Sequence, residues 1–224
     1  MLLVIVGIIV LGVVGVVISA TTPQDLGVKY TKADLESVNA KLGIHYNSLV
    51  SSTDPVASLN ISGKKALDTQ LTESELTALL NQPSSQWKNY PVSDVQLRIN
   101  PDGSVEMTGR FIANRFNAYS TATHLPEKYK SLIADKANLV PVNPSFYYKG
   151  DLGIKNGQVD GGMSDLKVGP VSVPNDWTAH NQDFVDGFVQ DRLQSAGMTV
   201  DSATFTDGKL NIKGSVPETI GFEN

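Results

Sequence analysis

Length, composition and charge exclude several classes of protein. The chain has 224 residues, with 18 Lys and Arg against 23 Asp and Glu, which gives a formal net charge of −5. This balance argues against a nucleic-acid-binding protein, because such a protein needs a basic surface to displace counterions from phosphates. The chain has no cysteine, so disulfides, thiolate metal sites and cysteine nucleophiles are excluded.

An uncharged, strongly apolar segment opens the chain. Residues 1–20 carry no charge, and the first charged residue is Asp25. As a helix this segment is ~30 Å long, which matches the hydrocarbon core of a bilayer. We predict a transmembrane signal anchor that is retained. The alternatives are a cleaved signal peptide, whose apolar region is usually only ~7–15 residues long, and a buried core helix.

The flanks of this segment define the predicted domain organisation. No Lys or Arg precedes the apolar run, so an orienting positive flank is missing and the chain is expected to lack its true start. Residues 21–30 are predicted to form a polar stalk, and residues 31–224 a single domain.

Two helices carry clear start signals. Thr31 is a candidate N-cap with Asp34 three residues on, and Gly43 is placed to end that helix. Thr72 and Glu75 form a second capping box, and Pro83 is predicted to end the second helix.

Hairpins are predicted further along the chain. Apolar and polar residues alternate over 95–99 and 105–111, on either side of an Asn-Pro-Asp-Gly turn. A related pattern occupies 207–216, and a weaker copy begins at Asn156. Gly109 and Gly214 recur at matching positions of the two stronger copies and are predicted to permit bends in the sheet.

The remaining predicted elements are a short helix over 126–136, a strand over 145–152 that returns over 158–168, and a long amphipathic helix. That helix is capped by Asn175 or Asp176 and ends near Ala196. Strands joined by tight turns indicate an antiparallel sheet, so the predicted fold class is α+β. We predict a curved antiparallel sheet of hairpins packed on the long helix, preceded by one transmembrane helix.

Catalytic and cofactor motifs are missing from the sequence. It contains no nucleophile elbow, P-loop, dinucleotide fingerprint, zinc-helix motif or calcium loop. Asp160 and Asp165 are better explained by a strand edge than by a calcium site, and His180 and Asp183 by a solvated helix face. We therefore predict no catalytic residues, no metal and no cofactor.

Four stretches together carry a family resemblance: the anchor with its stalk, LTESELTALLN, VQLRINPDGSVEMTGRF, and LKVGPVSVPNDW leading into the long helix. Their order resembles the membrane-anchored, extracytoplasmic proteins of Gram-positive bacteria that are related to tubular lipid-binding (TULIP-like) domains. The resemblance covers roughly residues 70–217. It implies a curved sheet around a long helix, an apolar groove that holds acyl chains, and a single-pass protein of the cell membrane whose C-terminal domain is extracytoplasmic.

Two functions of different classes follow. The first is a non-catalytic binding domain for an acyl chain or another apolar ligand, whose groove is predicted to be lined by Leu79, Leu80, Phe184, Val185, Phe188 and Val189. The second is a structural or interaction protein of the cell envelope, with a filled core and an envelope protein as partner. A lipid hydrolase is a weaker third reading, because no nucleophile and base can be paired in the sequence.

Overall fold

The computed structural model describes residues 22–47, 59–127, 130, 143–172 and 182–222. The fold is mixed α+β, as predicted, and its sheets are mostly antiparallel. The described part contains four α-helices: α1 (Lys32–Leu42), α2 (Glu73–Gln86), α3 (Phe116–Ala122) and α4 (Gln182–Ser195). A 3-10 turn, Ala113–Arg115, leads into α3.

Thirteen strands belong to the described residues. They are β1 (His45–Asn47), β2 (Leu59–Ser62), β3 (Lys65–Thr72), β4 (Val92–Ile99), β5 (Val105–Phe111), β6 (Ser145–Asp151), β7 (Ile154–Lys155), β8 (Gln158–Val159), β9 (Gly162–Val168), β10 (Val171–Ser172), β11 (Thr199–Thr206), β12 (Lys209–Val216) and β13 (Thr219–Phe222).

The strands form three sheets. Two have five strands, in the orders β10-β9-β6-β5-β4 and β3-β12-β11-β7-β8, and the third has three strands, in the order β1-β13-β2. The β1–β13 pair is parallel, with His45 opposite Thr219, whereas the other recorded pairs are antiparallel. Strands β1, β3 and β13 were not predicted from the sequence.

Both capping boxes are confirmed. The Thr31 hydroxyl accepts the Asp34 backbone N–H, and the Asp34 carboxylate accepts the Thr31 N–H. Thr72 and Glu75 repeat this arrangement at the start of α2. Gly43 ends α1 in the left-handed conformation, with φ of 60°, as a residue without Cβ can.

The prediction that Pro83 ends the second helix is wrong. Helix α2 continues through Pro83 to Gln86, and the Trp87 N–H donates to the Pro83 carbonyl. Proline removes one backbone donor, but two hydroxyls take up carbonyls of the last turn. Ser84 donates to Asn81 O at 2.8 Å and Ser85 donates to Gln82 O at 2.7 Å.

Helix α2 replaces a strand along the free edge of β4. The backbone N–H groups of Val95, Leu97 and Ile99 donate to the side chains of Asn81, Thr77 and Glu73, respectively. The three acceptors are four residues apart, so they lie on one face of the helix. An open strand edge would otherwise leave these donors unpaired. Since α2 follows β3 directly, the same helix connects the edges of both five-stranded sheets.

The predicted hairpins are confirmed, and two of the three copies of the repeated pattern share one turn geometry. Asp207 and Gly208, like Asn156 and Gly157, have positive φ at both turn residues, which is the type I′ geometry that matches strand twist. Gly109 lies directly opposite Phe146, whose ring occupies the space of the missing side chain. This glycine therefore accommodates an aromatic ring across the sheet.

Strand β5 is covered on both faces, unlike the half-exposed strand predicted. Glu106 and Thr108 were assigned to the polar face, yet they are 5% and 0% exposed. The Glu106 carboxylate is covered by polar partners on neighbouring strands. Arg98 contacts it at 2.8 Å and the Tyr147 hydroxyl donates to it at 2.8 Å. Burial alone would raise the pKa of Glu106, but these bonds outweigh burial and hold it below its ordinary value.

Several predicted elements lie outside the described residues. These are the transmembrane segment over 1–20, most of the helix over 126–136, and the start of the long helix at Asn175 or Asp176. Within the described part, no helix has the length and apolar character needed to cross a bilayer. In the predicted stalk, Leu26 is buried and its N–H donates to the Gln96 side chain at 2.8 Å.

Glu75 joins α1 to α2, and we expect it to contribute to the acid sensitivity of the fold. Its carboxylate accepts Lys41 Nζ at 2.7 Å, the Ser37 hydroxyl and the Thr72 N–H. Burial alone would raise its pKa, but these bonds outweigh burial and hold the pKa below the ordinary 4.5. The stabilisation is therefore present above about pH 4.5 and is lost as the pH falls through the lower, folded-state value.

Glu75→Gln tests this expectation. We expect a loss of about 1–2 kcal/mol at pH 7, because charge-assisted bonds are lost while the Lys41 side chain, 34% exposed, can turn to water. The difference from the parent should shrink below pH 4.5 in urea unfolding curves. An exposed control, Glu36→Gln, removes the Lys32 pair at the surface and should change stability by less than about 0.5 kcal/mol. If the difference in unfolding free energy between Glu75→Gln and the parent stays constant from pH 7 to pH 3, this explanation is wrong.

Candidate functional site: an apolar cavity with a buried arginine

A partly open cavity of about 200 Å³ lies between the β3–β12 face of one sheet, the three-stranded sheet, helices α2, α3 and α4, and the end of α1. Its lining is predominantly apolar. Dry apolar cavities of about 150 Å³ already bind a molecule of the size of benzene. Benzene has six carbon atoms, so at the same volume per carbon atom this cavity has room for about eight. It therefore suits a short or medium acyl chain better than a long one.

Each wall of the cavity follows from the local sequence pattern. In β3 and β12, residues two apart point to the same face, and the two strands contribute Leu67, Leu71, Leu210, Ile212 and Val216. The three-stranded sheet and the residue before β1 add half-buried apolar side chains: Ile44, Tyr46, Leu59, Ile61 and Ile220. Since β1 and β13 come from opposite ends of the domain, the cavity exists only in the folded chain.

Three aromatic rings form one wall. The ring centroid of Tyr119 is 5.4 Å from that of Trp87 and 5.8 Å from that of Tyr90, and the second contact is edge-to-face. Trp87 and Tyr90 lie between α2 and β4, while Tyr119 lies on α3. Such contacts hold aromatic rings in defined positions. The aromatic wall is therefore rigid, as a pocket for a specific ligand requires.

Two polar groups of this wall lie close together and away from water. The Tyr119 hydroxyl and Arg192 Nε are buried and have no hydrogen-bond partner of normal geometry. Burial raises the pKa of Tyr119 to about 12, although the nearby Arg192 guanidinium offsets part of that rise. The tyrosine therefore keeps its proton at neutral pH and can donate a hydrogen bond.

Arg192 is the largest of the nearly fully buried side chains, with 1% exposure. Its Nη1 donates to the carbonyl oxygen of Thr123, at the C-terminal end of α3, over a long 3.4 Å. Among the residues that the structure describes, no carboxylate forms an ion pair with it. A buried charge without a counter-charge is costly, so this position is chemically unusual.

The residues predicted to line the groove lie in different parts of the structure. Leu79 lies on the cavity wall. Leu80, Phe188 and Val189 are buried in the hydrophobic core, with exposures of 4%, 3% and 0%, and are not among the lining residues. The side chains of Phe184 and Val185 lie outside the described part of the structure.

Sequence reasoning missed Arg192 and Tyr119. For Arg192 a signal was present, because it lies four residues after Phe188 and three after Val189, within the apolar face of α4. A charge inside an apolar stripe is either paired or functional. For Tyr119 no comparable signal exists, because helix α3 is only seven residues long and was not predicted.

A second hollow, of about 480 Å³, is larger but differs in character. It is open and polar, and it is lined by Ser84, Ser93, Arg110, Ile112, Asn114, Arg115 and Asn143. Arg110 there already pairs with Asp94 at 3.5 Å. Shallow polar hollows give little burial to a ligand, so the smaller apolar cavity is the better candidate site.

Within the described residues, no cluster of His, Asp or Glu could hold a metal ion. Comparison with known proteins gives no match to a family model, to a curated protein or to a solved structure.

Proposed function

We propose that this protein is a membrane-anchored, extracytoplasmic binding protein for an apolar ligand such as an acyl chain, and that it is not a catalyst. The observation that carries the proposal is the partly open apolar cavity of about 200 Å³ that is lined by two sheets and the neighbouring helices. Binding sites for small apolar molecules have this character, with few polar groups among many apolar ones.

The membrane anchor and the extracytoplasmic position belong to the same proposal. They rest on the uncharged apolar run over 1–20 and on the resemblance to TULIP-like proteins. That resemblance implies a curved sheet wrapped around a long helix. We propose that the strands around α4 form this architecture. An anchored domain of this kind shelters a lipid-derived molecule next to the bilayer.

The competing function is an envelope scaffold with a filled core. If it is correct, a larger side chain at the cavity wall should lower the unfolding free energy, whereas an empty cavity should let the same change raise it. Ala122 and Ala78 are both helical and 2% and 1% exposed, but only Ala122 lines the cavity. We expect Ala122→Leu to raise the unfolding free energy by about 0.5–2 kcal/mol, because it fills empty space. Ala78→Leu should lower it by about 1–3 kcal/mol, because it overpacks a dense region. Thermal unfolding of the full chain in nanodiscs measures both.

Ligand binding is tested with the same variants. Trp87 lines the cavity, so 8-bromooctanol bound there should quench its fluorescence in a saturable manner. We expect the saturable quenching to be absent in Ala122→Leu and in Trp87→Phe. The quenching that remains in these variants comes from probe dissolved in the bilayer and does not saturate. Destabilisation by Ala122→Leu equal to that by Ala78→Leu, together with no saturable quenching in the parent, would favour the filled-core scaffold.

A further inference from the structure

We propose that the ligand carries an acidic head group, a carboxylate or a phosphate monoester, which is bound by the Arg192 guanidinium and the Tyr119 hydroxyl. This inference rests on the proposed function, because it identifies the chemical class of the molecule in the same cavity. The ligand is accordingly a short or medium single-chain acid, with its tail among the leucines and isoleucines and its head at the arginine.

Arg192 is a buried charge that needs a counter-charge. A guanidinium carries a positive charge, and 1% exposure leaves Arg192 almost no contact with water. The groups that lie against it, the Thr123 carbonyl at 3.4 Å and the Tyr119 hydroxyl, are both neutral. A carbonyl at the end of a seven-residue helix supplies only a partial negative charge. An anion in the cavity would supply the full counter-charge that the described protein groups do not.

The donor geometry of Arg192 and Tyr119 suits an acidic group. A guanidinium offers several N–H donors in one plane, which match the two oxygens of a carboxylate or two oxygens of a phosphate. Arg192 Nε has no acceptor of normal geometry, and the Tyr119 hydroxyl, which lies against the Arg192 and Thr123 side chains, keeps a proton that it can donate. Both side chains line the cavity. A buried guanidinium N–H without an acceptor is rare in native proteins and calls for one.

Arg192 differs from two other buried charges in the described part of the chain. Glu75 and Glu106 are similarly buried, at 4% and 5% exposure, but each has a cationic partner at 2.7–2.8 Å and further hydrogen bonds. The fold thus pairs its buried carboxylates thoroughly. Arg192 differs in that it faces an apolar space large enough for a ligand.

The test compares three bromine-labelled probes of equal tail length on the full chain in nanodiscs: 8-bromooctanoate, 8-bromooctyl phosphate and the neutral 8-bromooctanol. Saturable quenching of Trp87 gives the dissociation constants. At pH 7 we expect at least one acid to bind about 10- to 100-fold more tightly than the alcohol, because charge-assisted hydrogen bonds are the strong ones. The ratio between octanoate and octyl phosphate tells which acid the site prefers.

Arg192→Met keeps the length and apolar volume of the stem and removes the charge. We expect the preference for the acids to disappear in this variant, while alcohol affinity stays within about threefold of the parent. Replacement of a buried charge by an apolar side chain is often neutral or stabilising, so the variant is expected to fold. Tyr119→Phe serves as the second variant, and it should weaken acid binding by about 3- to 10-fold through loss of one hydrogen bond.

The outcomes separate this inference from the proposed function. Saturable binding of alcohol and acids with equal affinity, or an acid preference that survives in Arg192→Met, would overturn the acidic head group and leave the apolar site standing. Absence of saturable quenching by all three probes would overturn the proposed function itself.

Discussion

Replacing Asn81 by leucine is expected to destabilise the protein by about 4 kcal/mol. The Asn81 amide accepts the Val95 N–H at 3.0 Å and donates to the Val95 carbonyl at 2.8 Å. Both backbone groups belong to a buried residue, 4% exposed. Leucine would leave them unpaired, and each unsatisfied buried group costs about 1–3 kcal/mol. The edge of β4 and the position of α2 would be weakened together.

A graded series checks this prediction by thermal unfolding. For a chain of this size, about 4 kcal/mol corresponds to a fall in Tm of about 8–16 °C. Thr77→Val removes the single acceptor of the Leu97 N–H and should cost about half as much. Thr121→Val changes an exposed threonine of α3 and should stay within about 0.5 kcal/mol of the parent. A loss of less than 1 kcal/mol for Asn81→Leu would show that α2 does not hold the strand edge.

Gly214→Ala is expected to cost a similar amount, about 3–4 kcal/mol. Gly214 has φ of 153°, which side chains rarely adopt, and its Cβ would overlap the carbonyl oxygen of Thr199 on the paired strand. The pairing register shifts at this point, between Val200 and Ser202, so the glycine lies opposite a β-bulge. Backbone strain of 1–3 kcal/mol adds to the overpacking cost, and neither strand can move without breaking the sheet.

Gly162 provides the matched control for this substitution. It also lies in a strand, but its φ is unremarkable and a Cβ there would meet nothing within 4 Å. Gly162→Ala is therefore expected to be neutral or slightly stabilising, through the reduced entropy of the unfolded chain. Urea unfolding of both variants measures the difference. Equal stability of Gly214→Ala and Gly162→Ala would rule out a conformational requirement at the bulge.

The sequence was sufficient to predict the helix caps and hairpin turns, because these are stabilised by interactions between residues close together in the chain. Thr31 and Thr72 cap their helices through side chains three residues away, and Asp207–Gly208 sets its hairpin through positive φ. These interactions close within a few residues, so the pattern alone identifies them. The α+β class followed from the same tight turns.

Non-local interactions account for what was missed. Strand β1 has three residues and pairs in parallel with β13, 174 positions later in the chain at His45 and Thr219. An alternation over three or four residues is too short to distinguish a strand from a loop. Helix α2 continues for one turn beyond Pro83, and this turn is supported by the Ser84 and Ser85 hydroxyls, which donate to the Asn81 and Gln82 carbonyls, so the usual helix-ending effect of proline gave the wrong boundary.

The candidate site shows the same division between local and non-local information. The apolar face of α4 was predicted, and Phe188 and Val189 are buried. Which apolar residues border empty space depends on how α2, α3 and the small sheet meet, so among the predicted residues whose side chains are described, only Leu79 lies on the wall. Arg192 was detectable from its place in the helical stripe, but its lack of a described carboxylate partner is visible only in three dimensions.

Anomalous diffraction from crystals of the full chain grown with 8-bromooctanoate tests most directly whether an acidic, apolar molecule occupies the cavity. The account predicts a single bromine peak among the apolar side chains of the cavity, with carboxylate density against the Arg192 guanidinium. A cavity filled by protein side chains, or bromine and carboxylate bound away from Arg192 at the protein surface, would contradict it.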